Sequence, residues 1–473
     1  MATESDHTPA EARPIGLGIT TALVAGTIIG SGIFTLPAAL AEIGWIAMVG
    51  FAISSIGAML LAMVFAYASN RHPAAGGPYA YAREGFGDFM GFQTAWNYWI
   101  GAWVGVAAIG VSAVGYLGEL IPALREDRWA QIVTAIALVA VLTFVATKGL
   151  ATGGALSLVL MVLKVVPLLI IGTVGFLAFD AANLGPANAT PDSLVDAIGL
   201  SVALTLFAYI GVEAASIPGQ AVKDPTRTIP RATLIGTGLA AVVYLLSTLA
   251  VFGALPNSAL AESAAPFSDA ARVMFGDWAG PAISLVAVIS CLGAMNGLIL
   301  LAGQMPMAAA KDRLAPGVFG KLNRNSAPAI GLVISGVLAG AMTYFGFGDG
   351  GLVEVYTKLL LISTLATLLP YLMVSAAELR FLIVDRAPGT HITRLGVKVT
   401  VTSLAVVYSL WAMSQAGTEE VYLGFMLFLV GVPIFVLVLR QLRTPPPPAH
   451  ESVKPFDVIS ADPSQSNEGQ ARN

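Results

Sequence analysis

Twelve apolar windows, separated by short polar links, occupy almost the whole chain. A helix that crosses a bilayer needs about 20 mostly apolar residues. Only helices and closed barrels satisfy their backbone hydrogen bonds in lipid, and the alternating pattern of barrel strands does not occur in this sequence. We therefore predict an all-α membrane protein with 12 transmembrane helices. Their predicted limits are 15–40, 43–69, 88–118, 128–147, 153–179, 193–219, 228–255, 279–306, 328–346, 353–376, 395–415 and 421–441.

The amino-acid composition agrees with a chain that lies mostly in lipid. Of the 473 residues, 56% are hydrophobic and 11% are charged, whereas about 25% of the residues in a soluble domain are charged. The net charge of −4 gives no reason to expect a nucleic-acid partner. With Cys291 as its one cysteine, the chain forms no intramolecular disulfide. The polar first fourteen residues do not resemble a cleaved signal peptide.

The distribution of lysine and arginine predicts the orientation of the helices. If the N-terminus lies inside, only Arg125, Arg128 and Arg272 fall in outer loops, and cytoplasmic loops are the ones enriched in basic residues. We therefore expect a multi-pass protein of the cell membrane, in bacteria the inner membrane, with both termini cytoplasmic. The predicted units are a cytoplasmic N-terminal tail (1–14), a transport core of ten helices (15–376), helices 11 and 12 (377–441) and a disordered cytoplasmic tail (442–473).

Two of the apolar windows contain residues that interrupt a helix. The first has Gly30, Ser31 and Gly32 in its middle, and the sixth has Gly211, with Pro218 just after it. Close packing of small residues is one explanation of such glycines. Two interrupted helices at corresponding positions, about five spans apart, are instead typical of a transporter site. Unwound backbone is tolerated at this depth only where it lines a cavity, and its free N–H groups bind a carboxylate.

Of the ionisable residues within predicted spans, Lys164, Glu213 and Lys358 are the candidates for a function. An ionisable side chain in a membrane helix is costly and indicates function by default. Lys164, in the middle of the fifth span, either extends to the interface or donates hydrogen bonds to the carbonyls of the first break. Glu213, two residues after Gly211, either bonds to nearby backbone or faces the substrate path. Lys358 lies near the outer end of its span, as expected for a lysine that reaches the interface.

Five motifs resemble those of amino acid–polyamine–organocation (APC) transporters. They are Gly30-Ser-Gly-Ile-Phe34, Gly76-Gly-Pro-Tyr-Ala-Tyr-Ala82, Ile210-Gly-Val-Glu213, Lys223-Asp-Pro-Thr-Arg-Thr-Ile-Pro230 and Leu301-Ala-Gly-Gln304. Within that superfamily the chain is most similar to the basic amino acid/polyamine antiporters, which include arginine/agmatine and arginine/ornithine exchangers. The resemblance implies a five-plus-five inverted repeat with helices 1 and 6 broken, followed by two peripheral helices. It also implies alternating access around one site and, often, a homodimer.

The resemblance assigns roles to individual residues. It places the substrate carboxylate on the Gly30–Gly32 turn, and gating residues at Tyr98, Glu213 and Tyr371. An ammonium at Lys164 resembles the group that replaces a sodium ion in sodium-independent members. The predicted coupling and gating residues are Lys164, Glu213, Tyr98 and Tyr371. The predicted substrate-binding residues are Thr27, Ile28, Gly30, Ser31, Gly32, Tyr98, Ala102, Val106, Phe207, Ala208, Ile210, Glu213, Leu298 and Ser363.

The chain departs from arginine/agmatine exchangers at several specificity positions. Thr27 and Val106 stand where those exchangers have asparagine, and Phe207 and Leu298 stand where they have tryptophan. Phenylalanine still offers a cation–π contact, although a weaker one than tryptophan. The identity of the substrate side chain therefore stays open, and it depends on these four positions and on Ala102.

The sequence thus predicts a secondary active amino acid transporter that works by alternating access, an antiporter of cationic amino acids or polyamines. The alternative is a proton-coupled symporter of neutral amino acids. A channel or an amino-acid sensor is a hypothesis of another class, but the spans have few polar residues with which to line a pore.

No nucleophile–base pair, metal-ligand spacing or phosphate-binding loop is present, so we predict neither an enzyme nor a cofactor or metal. The expected partners are the substrate and the lipid bilayer.

Overall fold

The computed structural model describes residues 16–30, 32–71, 77–149, 154–213, 222, 224–347, 351–384 and 392–443. Within these ranges the regular elements are α-helices, joined by turns and short 3₁₀ segments. The helices are α1 (Leu17–Ile28), α2 (Gly32–Ala41), α3 (Ala47–Arg71), α4 (Pro78–Phe86), α5 (Asp88–Leu120), α6 (Ala123–Glu126), α7 (Arg128–Thr147), α8 (Gly154–Ile171), α9 (Leu194–Leu206), α10 (Pro225–Ala254), α11 (Asn257–Glu262), α12 (Pro266–Phe275), α13 (Ala279–Lys311), α14 (Ala329–Gly346), α15 (Leu352–Ile383), α16 (Ile392–Ser414) and α17 (Thr418–Arg443).

Ten helical stretches in the described ranges are long and apolar enough to cross a membrane. They are α3, α5, α7, α8 with its following 3₁₀ turn, α10 and α13 to α17. In addition, α1 and α2 form a pair bent by 46° at the first break, and Leu194–Tyr209 is a shorter apolar helix. The chain is therefore an all-α, multi-pass membrane protein, as predicted.

Several helices differ in extent from the apolar windows. Helices α5 and α13 have 33 residues each and α15 has 32, because each continues past its apolar window into a segment that contains charged residues. Helix α15 ends at Ile383, beyond the predicted end of the transport core at 376. The polar links also contain four short helices, α4, α6, α11 and α12, which the search for apolar windows could not detect.

Two long helices form the centre of the molecule. In the apolar part of α5, 89% of the residues are buried, and in that of α15, 83%, compared with 17% in α17. Helix α5 packs along both α13 and α15. The outer helices expose large apolar side chains such as Val141, Phe144 and Phe425, as a lipid-facing surface requires. The candidate site lies beside α5 and α15.

Ion pairs join the helices at both ends of the bundle. At one end Arg71 of α3 pairs with Glu378 of α15, and Arg83 of α4 pairs with Asp312 after α13, each at 2.8 Å. At the other end Glu119 of α5 pairs with Arg272 of α12 at 2.5 Å. Glu378 and Glu119 are 2% and 13% exposed, so two of these pairs are partly buried and connect helix ends at the edge of the bundle.

Candidate functional site

The first break is a tight turn between α1 and α2. The N–H of Ile29 donates to the carbonyl of Ala25 at 2.8 Å, which completes the last helical bond of α1. The N–H of Gly30 then donates to the carbonyl of Ile28 at 2.6 Å, which closes a turn of the chain. Ser31 lies outside the described residues. Helix α2 begins at Gly32, and all ten of its residues are buried.

The second break lies at the end of α9. The α-helix ends at Leu206 and continues as one 3₁₀ turn through Tyr209. Gly211 has a φ of +110°, a conformation that glycine adopts at low cost and that L side chains rarely adopt. The helical path of α9 therefore ends here. Residues 214–221, the second half of the predicted sixth span, lie outside the described residues.

The two breaks lie against each other. A Cβ atom on Gly211 would be 3.1 Å from Cγ2 of Thr27, and one on Gly32 would be 3.0 Å from the Phe207 ring. The hydroxyl of Tyr244 on α10 lies 2.7 Å from the carbonyl oxygen of Ile28 and 3.2 Å from that of Ala208. Tyr244 thus connects the first break to the second through one side chain.

Side chains of other helices donate to the carbonyl groups around the first break. Nζ of Lys164, a residue 8% exposed, lies 3.2 Å from the carbonyl oxygen of Ile29 and 3.4 Å from that of Gly26. The hydroxyl of Tyr356 on α15 donates to the carbonyl of Gly32 at 2.8 Å. The predicted contact between Lys164 and the first break is confirmed. Its role in coupling stays a prediction.

The N-terminus of α2 lies at the first break. The first N–H groups of a helix have no partner within it, and the helix dipole places partial positive charge there. The Gly30 N–H donates within the turn in this structure, to the carbonyl of Ile28. Binding of the substrate carboxylate by the Gly30–Gly32 turn stays a prediction.

Glu213 lies at the centre of a buried hydrogen-bonded cluster. Tyr98 donates to Oε1 of Glu213, and Tyr371 donates to Oε2 at 2.7 Å. The N–H of Gly211 also donates to Oε2, at 3.2 Å. All three side chains are at most 4% exposed. The structure thus brings together the three residues predicted to gate the path, from α5, the second break and α15.

A small cavity lies next to this cluster. Its volume of about 10 Å³ has room for about one water molecule, far less than the roughly 300–1,000 Å³ of a typical ligand pocket. The centre of the candidate site is therefore nearly closed in this structure. Its walls come from α5, the second break, α13 and α15, and the lining residues are Tyr98, Gly101, Ala102, Ile210, Leu298, Leu301, Ser363 and Thr367.

Five of the predicted substrate-binding residues line this cavity: Tyr98, Ala102, Ile210, Leu298 and Ser363. Others form the breaks around it. Thr27 is exposed beside Gly211, Ile28 and Ala208 present carbonyls to Tyr244, and Phe207 packs on Gly32.

Val106 and Lys358 lie away from the cavity walls. Val106 is 1% exposed and belongs to the hydrophobic core. Lys358 is 58% exposed and pairs with Glu354 at 2.6 Å, as expected for a lysine that extends to the interface.

Sequence reasoning did not select five residues that contribute to the site. Gly101, Leu301 and Thr367 line the cavity, while Tyr244 and Tyr356 donate to carbonyls at the breaks. Thr367 lies one helical turn after Ser363, so the i, i+4 spacing offered a signal. Tyr244 is 0% exposed inside an apolar span, and a hydroxyl buried in lipid-spanning structure needs a hydrogen-bond partner.

A bent helix pair that meets the end of another apolar helix beside a small cavity, as α1–α2 and α9 do here, is typical of secondary transporters. The family model described as amino acid permease matches residues 15–444. The chain belongs to the amino acid permease family.

Curated relatives of this chain are bacterial transporters. The chain is 37% identical over 438 residues to the cadaverine/lysine antiporter of Escherichia coli K12, covering 92% of this chain and 97% of that protein. It is 31% identical to the arginine/ornithine antiporter of Pseudomonas aeruginosa, covering 92% of each chain. It is also 29% identical to a putrescine transporter of Haemophilus influenzae, covering 91% of this chain and 98% of that protein.

Proposed function

We propose that this protein is an antiporter that exchanges cationic amino acids or polyamines by alternating access. The observation that supports this most directly is the buried carboxylate of Glu213 beside the cavity. An acidic side chain is costly to bury in a membrane, so its presence at this depth indicates a function. The curated relatives, whose names specify lysine, ornithine, arginine, cadaverine or putrescine, support the same substrate class.

The binding mode that we propose uses both breaks. The carboxylate of an amino acid binds the amides at the start of α2, and its α-amine faces the carbonyls between Phe207 and Gly211. The cationic side chain enters the cavity toward Tyr98 and Glu213. A diamine, which has no carboxylate, binds through its two ammonium groups alone. Opening of the Tyr98–Glu213–Tyr371 cluster would then release the substrate to one side of the membrane.

Lys164 supports a sodium-independent cycle. Its ammonium group already lies against the Ile29 and Gly26 carbonyls, where a bound cation would otherwise be needed. The same buried cation also suits the second candidate function, a proton-coupled symporter of neutral amino acids, in which a buried amine would carry the coupled proton.

The complete topology is also part of the proposal. The ten long helices, the bent α1–α2 pair and the shorter Leu194–Tyr209 helix support 12 spans. We infer a five-plus-five inverted repeat within 15–376, two further helices within 377–441, and both termini in the cytoplasm of a bacterial cell. The chain termini 1–14 and 442–473 would be cytoplasmic tails, and the family resemblance favours a homodimer.

Transport by the purified protein in proteoliposomes tests the function. Liposomes loaded with unlabelled lysine or ornithine should accumulate external radiolabelled lysine, arginine, cadaverine or putrescine, and a protonophore should not prevent this exchange. Uptake of alanine that is driven only by a pH gradient, without exchange of any cationic substrate, would overturn the antiporter and support the symporter.

A further inference from the structure

The cavity lies between two closures at opposite ends of the bundle. Along α5, Tyr98 belongs to the Glu213 cluster, the lining residues follow, and Tyr116 contacts α2. Along α15 the order is reversed, from Tyr356 at α2 through the lining residues to Tyr371 in the cluster. At 1.5 Å per helical residue, the two contacts on each helix are about 22–27 Å apart. The cluster therefore closes one side of the cavity, and α2 covers the other side.

Polar side chains of other helices hold α2 in this position. The hydroxyl of Thr35 on α2 and that of Ser112 on α5 share a hydrogen bond of 2.5 Å. Tyr116, one helical turn further along α5, donates to the carbonyl of Phe34 at 2.7 Å. The amide of Asn257 on α11 donates to the carbonyl of the last residue of α2 at 3.0 Å. All ten residues of α2 are buried, so the helix is in contact with its neighbours along its whole length.

Tyr116 also shapes the place that Phe34 occupies. The ring of Phe34 packs edge-on against Tyr116, with ring centroids 5.8 Å apart, and against Phe267 of α12, with centroids 5.7 Å apart. The N–H of Phe267 donates to the Tyr116 hydroxyl at 3.3 Å. That hydroxyl therefore accepts from α12 while it donates to α2. All three side chains are at most 1% exposed, so one hydroxyl joins α2, α5 and α12 around a buried ring.

We propose that α2 is the gate on the side opposite the Glu213 cluster, and that Tyr116 is the residue that keeps this gate closed. Alternating access, the proposed function on which this rests, needs a closure on each side of the site. Helix α5 packs along both α13 and α15, whereas α2 has ten residues and joins α1 through the turn at the first break. The shorter helix is therefore the part that moves. In the proposed topology its movement opens the site to the outside.

Hydrogen bonds between neutral groups suit a gate that opens and closes many times. The net gain from one such bond is small, because the separated groups bond to water instead. A buried ion pair would be more costly to separate. Helix α2 has no charged residue in its sequence, so its separation from α5 leaves no unpaired ion on the helix.

A cysteine in place of Ser112 reports the opening of this gate. Ser112 faces Thr35 across the contact and is 2% exposed. The reaction of Ser112→Cys with a membrane-impermeant maleimide therefore requires α2 to move away. A second change, Cys291→Ala, removes the native thiol, which lies 3.9 Å from the Ser112 hydroxyl. The labelling rate is measured without substrate on intact cells and on inverted membrane vesicles, which present opposite sides of the membrane.

In this background, Tyr116→Phe should raise the labelling rate about five-fold on intact cells, the usual effect of one hydrogen bond on an equilibrium. The rate on inverted vesicles should not rise, because the Glu213 cluster still closes that side. Phe34→Leu, which keeps an apolar side chain but loses the ring contacts, should change the rate in the same direction. Thermal melting of each variant shows whether the protein is folded.

Tyr408→Phe is the matched control. It also removes the hydroxyl of a buried tyrosine, but that hydroxyl bonds to Ser54 at 3.3 Å, between α16 and α3. The labelling rate should therefore stay at that of the parent. An unchanged rate in Tyr116→Phe, an equal rise in Tyr408→Phe or an equal rise from both sides of the membrane would overturn the proposed gate. A rise on inverted vesicles alone would support the gate and reverse the proposed orientation.

The exchange assay in proteoliposomes separates the gate from the function on which it rests. If the wild-type protein exchanges cationic substrates but Tyr116→Phe does not change the labelling rate, the antiporter stands and this gate is wrong. If the labelling rate responds to Tyr116→Phe as expected but no cationic substrate is exchanged, α2 is still a gate and the proposed antiport fails.

Discussion

Lys164 holds its charge in an apolar helix by binding oxygen atoms of another helix. Removal of an ammonium group from water costs several kcal/mol unless its hydrogen bonds are replaced. The carbonyls of Gly26 and Ile29 replace part of that hydration. The lysine in turn satisfies carbonyls that the end of α1 leaves without helical partners. The sequence singled out Lys164 because a cation in mid-span is rare, and the geometry supplies the reason for its position.

Substitution of Lys164 tests whether this cation serves transport. In Lys164→Met, two buried carbonyls lose a donor at a cost of about 1–3 kcal/mol each, and we expect exchange to fall at least about ten-fold. Initial rates of lysine counterflow, normalised to protein in the liposomes, measure the effect. Lys358→Met is the control: its ammonium is exposed and pairs with Glu354 on the same helix, so exchange should persist. Full activity of Lys164→Met would exclude the proposed role.

At the scale of elements, the site depends on where helices stop. Helix α1 stops at a turn that uses the Gly30 amide, and α9 stops where Gly211 adopts a positive φ. Each stop leaves backbone groups that a continuous helix would have satisfied. Tyr244, Tyr356 and Lys164 supply some of the missing partners. The breaks are thus specific structures supported by neighbouring helices.

An alanine at position 211 tests the second break. Gly211→Ala would force a side chain into φ of +110° and would put its Cβ 3.1 Å from Thr27. We expect a loss of about 1–2 kcal/mol of stability, a lower melting temperature and little exchange. Gly238→Ala, in the middle of α10 with open space around the new Cβ, should be neutral or gain about 0.5–1 kcal/mol. A Gly211→Ala variant that melts and transports like Gly238→Ala would contradict this account of the break.

Removal of one hydroxyl tests the connection between the breaks. Tyr244→Phe should keep the ring packing against Phe51 and Tyr209 and lose the bonds to Ile28 and Ala208. The expected loss is about 1–3 kcal/mol, because a carbonyl is left buried without this donor. Thermal melting in detergent and counterflow rates should both decrease. Tyr344→Phe, at an exposed tyrosine, should change neither; equal behaviour of the two variants would argue against a bridging role.

At the scale of the whole molecule, the prediction that remains is the direction in which the chain crosses the membrane. Cysteine labelling tests it, because the native Cys291 is 0% exposed and should not react. We expect an impermeant maleimide added to intact cells to label Ala189→Cys, in the link after α8. It should label Leu322→Cys, exposed in the link after α13, only after lysis. The opposite pattern would reverse the topology, and labelling of both from outside would contradict the span count.

The sequence predicted more of the fold than of the site. Apolar length identifies membrane helices without knowledge of their neighbours, and glycines in mid-span indicated both breaks. To predict which residues line the cavity, one must also know which face of each helix points toward it. Thr367 and Val106 lie in apolar spans, yet Thr367 faces the cavity while Val106 is packed in the core. The assignment of membrane spans does not show which face of a helix points inward. An isolated threonine in a membrane helix also usually bonds to its own backbone, so it gives little signal.

The Tyr98–Glu213–Tyr371 cluster also has an electrical consequence. Each 100 mV of membrane potential corresponds to about 2.3 kcal/mol per elementary charge. A carrier that lets ions leak through when it is not transporting substrate would reduce that potential. The two tyrosine rings and the carboxylate are at most 4% exposed and bonded to one another, and we expect the cluster to block a hydrated ion. The cluster would then insulate the membrane between turnovers, so that a cell could hold many copies of the protein without depolarisation.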